Sequence, residues 1–428
     1  MKKRIKAELW DKTQYILSKF YDRMMHVAIY SEGDLDLQIL RRAIKKVVDN
    51  VYVLRSRYSA NIFKHHWVVN DDYTLDDMAT KEEVADLRGA TEEFLKGYIS
   101  HRAKLQFRAK IFTSGNACSF ALLVNHQCFD GNELKYVTGK IIECYNAIIR
   151  EGNADSVSIR NGSREMKQLY EKMDPKKAAI AKKLYNNASK MGVKSHFRFT
   201  QEKDVEKRFV TGRLDISIFD KLKQRGKEYG ASINDVILAA YFRAYAKEAG
   251  FSNDEVLNIT SIIDLRRHLM KGEQLDGCTN MVAFMPCKID GVGETYIDTL
   301  KKVAAINNAH KEDEVVGLYG IPLLALAYKL FRWDFIANMA VRIGYENPVM
   351  QMSNLGKIPN SCMTFEGCKP VDVFVTGAVK NRPYFQLTCV SMDTHINFCV
   401  AEKCSETDER YIKIMLENMK KDLVEFAQ

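Results

Sequence analysis

Apolar residues recur at two different spacings along this chain, and both halves of it carry both. In 35–51 the residues Leu37, Leu40, Ile44, Val47, Val48 and Val51 stand three and four apart, which lines one face of a helix. The runs 107–112 and 119–124 are β-rich, and a second helical stripe follows from Asn132: Leu134, Val137, Ile141, Tyr145 and Ile148. A strand-like run at 52–58 lies between them. The later half repeats the alternation, with strands expected at 209–215, 257–264, 281–287, 371–376, 384–390 and 396–400 and helices from Ile216 and Ser232. Ser232 with Asp235 three residues on reads as a helix-capping pair. A last helix carries Ile412, Leu416, Met419, Leu423 and Phe426 on one face. Neither kind of element buries its apolar side alone, so each half must lay helices against a sheet, an α+β (mixed α/β) pattern.

The length, 428 residues, suggests two or three domains at roughly 100–200 residues each. With 46% hydrophobic residues and only 7 Pro, a collagen-like or largely disordered chain is excluded. The natural division is charged. Residues 164–208 hold 13 Lys/Arg against 6 Asp/Glu, most of the net charge of +9, and Asp174-Pro175 and Gly192 break the pattern. This segment is read as a basic helical linker between an N-terminal lobe, 1–163, and a C-terminal lobe, 209–428. Its lysines, with Tyr170 and Tyr185, present a solvated face or attract an anionic partner; no nucleic-acid module is visible, and nucleic acid is not expected.

The basic start, 1–6, is followed by Glu8, Asp11 and Lys12 rather than an apolar core, so no export signal is expected. The longest apolar stretch, 315–328, is shorter than the ~20 residues a membrane helix needs and contains Gly317, Gly320 and Pro322. A buried helix or loop is expected there; lining an apolar tunnel with residues up to Phe331 is the alternative. Ten cysteines are scattered without a Cys-x-x-Cys pair, so zinc is not expected and the thiols read as small hydrophobes in a reducing cytoplasm.

One turn carries chemistry. Asn125-His126-Gln127-Cys128-Phe129-Asp130-Gly131 places an imidazole and a carboxylate four residues apart between a strand and a helix. Such a turn can aim the ring into a cleft, where a neutral His takes a proton from a hydroxyl or amine attacking a carbonyl. The carboxylate, pointing elsewhere, can fix the loop by binding an arginine. The spacing by itself is common, and an ordinary turn explains it equally. His65-His66 imitates the pattern, but Asn70 stands where the carboxylate belongs, and the run reads as a plain strand.

The heptapeptide resembles the His-His-x-x-x-Asp-Gly signature of the CoA-dependent acyltransferase superfamily, which includes chloramphenicol acetyltransferase, alcohol acetyltransferases, wax ester synthases and the condensation domains of nonribosomal peptide synthetases. Other segments match in order: Leu54-Arg55-Ser56-Arg57-Tyr58 is similar to the family's Leu-Arg-Thr-Arg-Phe, and Ser232-Ile233-Asn234-Asp235-Val236 to its Thr-Val-Asn-Asp-Val. Asp264-Leu265-Arg266 and Ser353-Asn354-Leu355-Gly356 match second-half motifs. The likeness spans nearly the whole chain and departs from the signature at Asn125, where the first His is missing.

The resemblance implies two chloramphenicol acetyltransferase-like lobes, each a sheet flanked by helices, with a channel between them. It implies acyl transfer from a thioester, acyl-CoA or a phosphopantetheine carrier, to a hydroxyl or amine acceptor, with His126 as general base. The thioester is a co-substrate, no cofactor is permanently bound, and a cytoplasmic monomer without metal or membrane span is expected. Asp130 is expected to pair with an arginine of the first half, Arg55 being the best match, or else to cap the helix at Asn132. Gly131 allows close backbone approach or a positive φ. Ser353 and Asn354 either donate hydrogen bonds to substrate or oxyanion or form a plain turn, and Asp264 with Arg266 is either a buried ion pair or a substrate contact. A free-standing condensation domain served by an acidic carrier protein and a non-catalytic docking protein of the same fold are the alternatives.

Overall fold

A computed structural model describes residues 3–61, 64–183, 195–330 and 349–428. Tyr185 and Gly192 of the basic segment, and Phe331, lie outside the described residues.

The two apolar spacings become two sheets with helices against them. In the first, the strands run in the order Lys369–Thr376, Met24–Glu32, Ala117–Asn125, Phe107–Ser114 and Thr80–Glu83. The helices Leu37–Asn50 and Gly131–Glu151 cover this sheet, and the stripe Leu134, Val137, Ile141, Tyr145 and Ile148 is buried as its spacing requires. Lys369–Thr376 comes from the far end of the chain and pairs antiparallel with Met24–Glu32, so one stretch of the second half completes the sheet of the first.

The second sheet orders Val282–Ile289, Leu257–Asp264, Met350–Lys357, Phe385–Ser391, His395–Cys404 and Lys380–Asn381, with Glu206–Asp215 also paired to His395–Cys404. Its central helix, Ile233–Ala249, buries the consecutive run from Asp235 to Phe242, so it is wrapped on all sides. Tyr296–Glu312 and Glu406–Ala427 pack beside it. The expected capping pair is present, with Ser232 N–H and hydroxyl both within 2.7 Å of the Asp235 carboxylate.

One local expectation changes. The run at 52–58 opens with a 3₁₀ turn, Tyr52–Arg55, before the strand Ser56–Asn61. The reason is burial: Val53 and Leu54 are adjacent and both inside, whereas a strand sends neighbours to opposite faces. His65 and His66 lie in the small sheet Arg4–Lys6, Lys64–Val69 and Ser56–Asn61, where the His65 ring meets the Tyr58 hydroxyl at 2.6 Å. Nine of the ten cysteines are buried, and all are free thiols. No helix among the described residues is long and apolar enough to cross a membrane.

A third core joins the halves, with Leu9, Ile16, Leu169, Leu265, Leu275 and Leu318 in one cluster. Beside it lies a buried ion pair that no local pattern announces. Arg164, at the head of the basic segment, donates to both carboxylate oxygens of Asp11 at 2.9 and 2.8 Å, to the Cys278 carbonyl at 2.7 Å and to the Cys128 carbonyl at 2.6 Å. The Trp67 indole N–H donates to the same carboxylate at 2.7 Å. Removing one member of such a pair strands the other charge away from water. Arg164→Met is therefore expected to lower unfolding stability by about 3–5 kcal/mol, read from the urea midpoint; a loss under about 1 kcal/mol would show that Asp11 finds other solvation.

Candidate active site

The turn that carries His126 is built from its ends. Asn125 closes the strand Ala117–Asn125, and Asp130 opens the helix Gly131–Glu151. Asn125 is fully buried; its side-chain amide donates to Gln106 Oε1 at 2.8 Å, and its Oδ1 accepts the Gln127 N–H at 3.0 Å. The residue that replaces the first His of the signature thus braces the turn from beneath. The His126 N–H donates to the carbonyl of Arg23 at 2.7 Å, and Arg23 holds a left-handed φ of 62°. From the second half, the Asn280 amide donates to the His126 carbonyl at 3.1 Å. The loop is therefore fixed from both lobes.

Asp130 does not face outward as a free carboxylate. Its Oδ1 accepts the N–H groups of Asn132 and Glu133, both at 3.1 Å, which caps the helix. Its Oδ2 accepts Arg266 Nη1 at 3.0 Å and the Met281 N–H at 2.7 Å. The capping reading and the ion-pair reading both hold, one on each oxygen, but the cation is Arg266 rather than Arg55. Arg55 sits on the 3₁₀ turn leading into Ser56–Asn61, and its guanidinium reaches the Asn70 carbonyl at 3.3 Å and the Asp71 carboxylate instead. Reach decides between them. Arg266, on the short turn after the strand Leu257–Asp264, also bonds Glu133 at 2.8 Å, Asp264 at 2.9 Å and the Thr279 carbonyl at 2.9 Å. The expected Asp264–Arg266 pair is thus part of a larger network, which Arg160 completes through Glu133 at 2.6 Å.

The His126 ring lines a cavity of about 280 Å³ whose walls come from both halves: Trp10, Tyr21, Ile262, Phe284, Ser353 and Lys380 among them. Its Nδ1 is buried without a hydrogen-bond partner among the described residues, while the residue as a whole is half-buried along the cavity. Burial lowers the imidazole pKa, while the carbonyls of His126 and Phe129 and the Asp130 carboxylate oppose that shift and Lys380 adds to it. A ring so placed is neutral at neutral pH and can accept a proton.

Gly131 does not adopt a positive φ; a Cβ there would stand 2.7 Å from the flexible end of the Leu355 side chain, a contact that a turn of that side chain relieves. Ser353 and Asn354 both line the cavity. Asn354 is partly committed: its amide donates to Asn234 at 3.2 Å, and its Oδ1 accepts the Gly356 N–H at 2.8 Å. Two of the matched second-half motifs thereby touch. No group of three or more His, Cys, Asp or Glu side chains among the described residues is arranged to hold a metal. Sequence pattern gives no sign of Glu133 or Lys380, because the first reads as a helix-surface residue and the second stands in an unremarkable run.

The network separates the two arginines experimentally. Arg266→Met is expected to destabilise the fold by about 3–5 kcal/mol, since it strands the buried Asp130 carboxylate and leaves Glu133 to Arg160 alone. Arg55→Met, whose partner Asp71 is mostly exposed, should cost less than about 1 kcal/mol beyond lost packing. Equal effects in urea unfolding would return Arg55 to the loop.

Neither a protein-family model nor a curated protein sequence matches the chain. Solved structures do. The condensation domain from monacolin K polyketide synthase MokA superposes with a TM-score of 0.66 at 15% identity, covering 99% of this chain and 97% of that one. The TRI3 trichothecene 15-O-acetyltransferase from Fusarium sporotrichioides gives 0.71 at 13% identity, covering 98% and 95%. The epimerization domain from the third module of tyrocidine synthetase B gives 0.68 at 12%, covering 100% and 96%. End-to-end coverage of such neighbours shows that the chain has the two-lobed fold shared by these condensation, acetyltransferase and epimerization structures.

Proposed function

We propose that the protein is an acyltransferase that moves an acyl group from a thioester to a hydroxyl or amine, with His126 as general base. The observation that carries this reading is the position of one ring: a half-buried, neutral imidazole with its Nδ1 sealed, lining a cavity walled by both lobes. In the proposed step His126 Nε2 takes the acceptor proton as the acceptor oxygen or nitrogen bonds to the thioester carbonyl carbon. The tetrahedral intermediate then collapses, the C–S bond breaks, and the departing thiolate recovers the proton from His126. Asp130 takes no part in proton transfer, because all four of its contacts are spent on the helix cap, Arg266 and Met281. It positions the loop. Ser353 is the better donor to substrate or oxyanion, since the Asn354 amide is engaged by Asn234.

The cavity, about 280 Å³, lies at the small end of ligand sites, which suits a compact acyl group and acceptor in contact with the ring. The donor is acyl-CoA or a phosphopantetheine arm. The second is favoured by the condensation-domain neighbours, among them the first condensation domain of the calcium-dependent antibiotic synthetase, which matches over 99% of this chain. Following free thiol release with acyl-CoA or acyl-loaded carrier protein, with and without alcohols and amines, separates the donors. Release from neither donor with any acceptor would leave a docking protein.

His126→Ala is expected to cut kcat by about 10²–10⁴-fold with unfolding stability nearly unchanged; an undiminished rate would remove the base from the mechanism. The pH profile gives a second check. The active form is the neutral ring, and its pKa is lowered from 6.5. The acid limb of kcat/KM should therefore fall below pH 6.5, with a plateau above it; a limb above that value would mean that His126 gains rather than loses charge stabilisation.

A further inference from the structure

The cavity that His126 lines also carries a cation that makes no close ion pair among the described residues. Lys380 is 5% exposed and lines the cavity, with its Nζ 4.1 Å from the centre of the Tyr21 ring, which lines it too. The other charged groups of the lining are occupied. Asp130 and Asp264 both bond Arg266, and Lys135 donates to the Leu355 carbonyl at 2.5 Å.

The acids that act on Lys380, Glu402 and Asp22, form no close ion pair with it among the described residues. Asp22 is held by Lys207 at 2.7 Å and accepts the N–H groups of Met24 and Val379. Glu402, beside Lys380 in the strand register, is fully buried, and neither of its oxygens has a hydrogen-bond partner among the described residues. Burial raises the Glu402 carboxyl well above its ordinary range, with the charges of Lys380 and Arg382 opposing that shift. Burial lowers Lys380 to about 8, with the Glu402 and Asp22 carboxylates opposing the shift. The remaining polar wall, Gln14, Thr376, Gln386 and Thr388, is uncharged.

We infer that Lys380 makes this cavity selective for a substrate bearing a carboxylate, which pairs with its ammonium while the reacting group meets His126. This rests on the acyl-transfer reading of the same cavity and narrows its substrate class. The carboxylate can belong to the acceptor, a hydroxy acid or amino acid, or to the acyl group, the half-thioester of a dicarboxylic acid. An ammonium held over an aromatic face supplies a charge-assisted bond in a site that excludes water.

The test uses the full chain and two readouts. In the first, a panel of aliphatic and aromatic carboxylates, each paired with its primary amide, is titrated by calorimetry against wild type, Lys380→Met and Lys380→Arg. Wild type is expected to bind at least one acid about tenfold or more tighter than its amide; the Met variant should lose that ratio and the Arg variant should keep part of it. In the second, kcat/KM is compared for hydroxy acids and amino acids against their amides with acetyl-CoA and with acetyl-loaded carrier protein, and for succinyl against butyryl thioesters of both donors with neutral alcohols and amines, which assigns the carboxylate to acceptor or donor. A panel in which no acid is preferred, or a preference that survives Lys380→Met, overturns the inference. Carboxylate binding lost in the Met variant but without turnover in any arm would sustain the anion site and sink the acyl-transfer reading, so the two fail separately.

Discussion

Arg266 is the interaction on which the site depends. One guanidinium from the second half stands between two carboxylates of the first, Asp130 and Glu133, with Asp264 on its own turn and the Thr279 carbonyl filling a further donor. Taking three charges out of water is costly, and a packed apolar cluster would hold two lobes together as well or better. What the ions add is geometry. A planar fork satisfied by acceptors from both halves has few equivalent arrangements, so it fixes where the first turn of the Gly131–Glu151 helix lies relative to the second lobe. Since the His126 loop ends on that turn, the ring inherits its position from a contact made across the interface.

The same network shapes the electrostatics of the ring. Asp130 is only four residues away and would, left bare, favour the imidazolium. Neutralised by Arg266 and the Met281 N–H, it offers only a partial counterweight, and burial prevails. The proposed general base must be unprotonated at neutral pH, and a half-buried imidazole whose pKa is lowered, beside a compensated carboxylate, suits that role. Lys380 moves the balance further toward the neutral form. The cavity thus combines a neutral base with a cation, and no carboxylate in its lining is free to compete for either.

The sequence reveals the elements better than their contacts, for a physical reason. Periodicity is local, so the stripe from Leu134 to Ile148, the Ser232 cap and the strand Leu257–Asp264 could all be placed from spacing alone. The turn at His126 was legible because a strand, an Asp cap and a helix stripe follow one another there. The partner of Asp130 was not. Arg55 and Arg266 are equally good cations on paper, and the choice rests on a contact 136 residues apart in the chain. Glu133 shows the same limit: an acid at the third helical position normally faces water, yet here it is fully buried because two arginines reach it. Lys380 carries no pattern at all. Its meaning comes from the strand crossover that places it beside the cavity.

That crossover bears on how substrates reach the ring. Lys369–Thr376 leaves the second half, pairs with Met24–Glu32 in the sheet of the first, and the chain then returns through Lys380–Asn381 to the second sheet. Along this strand the lobes are joined by backbone hydrogen bonds, and across the cavity they are joined by Arg266 and by Asn280 to the His126 carbonyl. Drawing the lobes apart would break strand pairing on one side or expose unpaired buried charge on the other, and each is expensive. Access is therefore best served by the mouths of the existing cavity, with side chains such as Leu355 yielding at the wall. A site held on two sides in this way keeps a fixed distance between His126 and Lys380, and that fixed distance is what would let it measure a substrate.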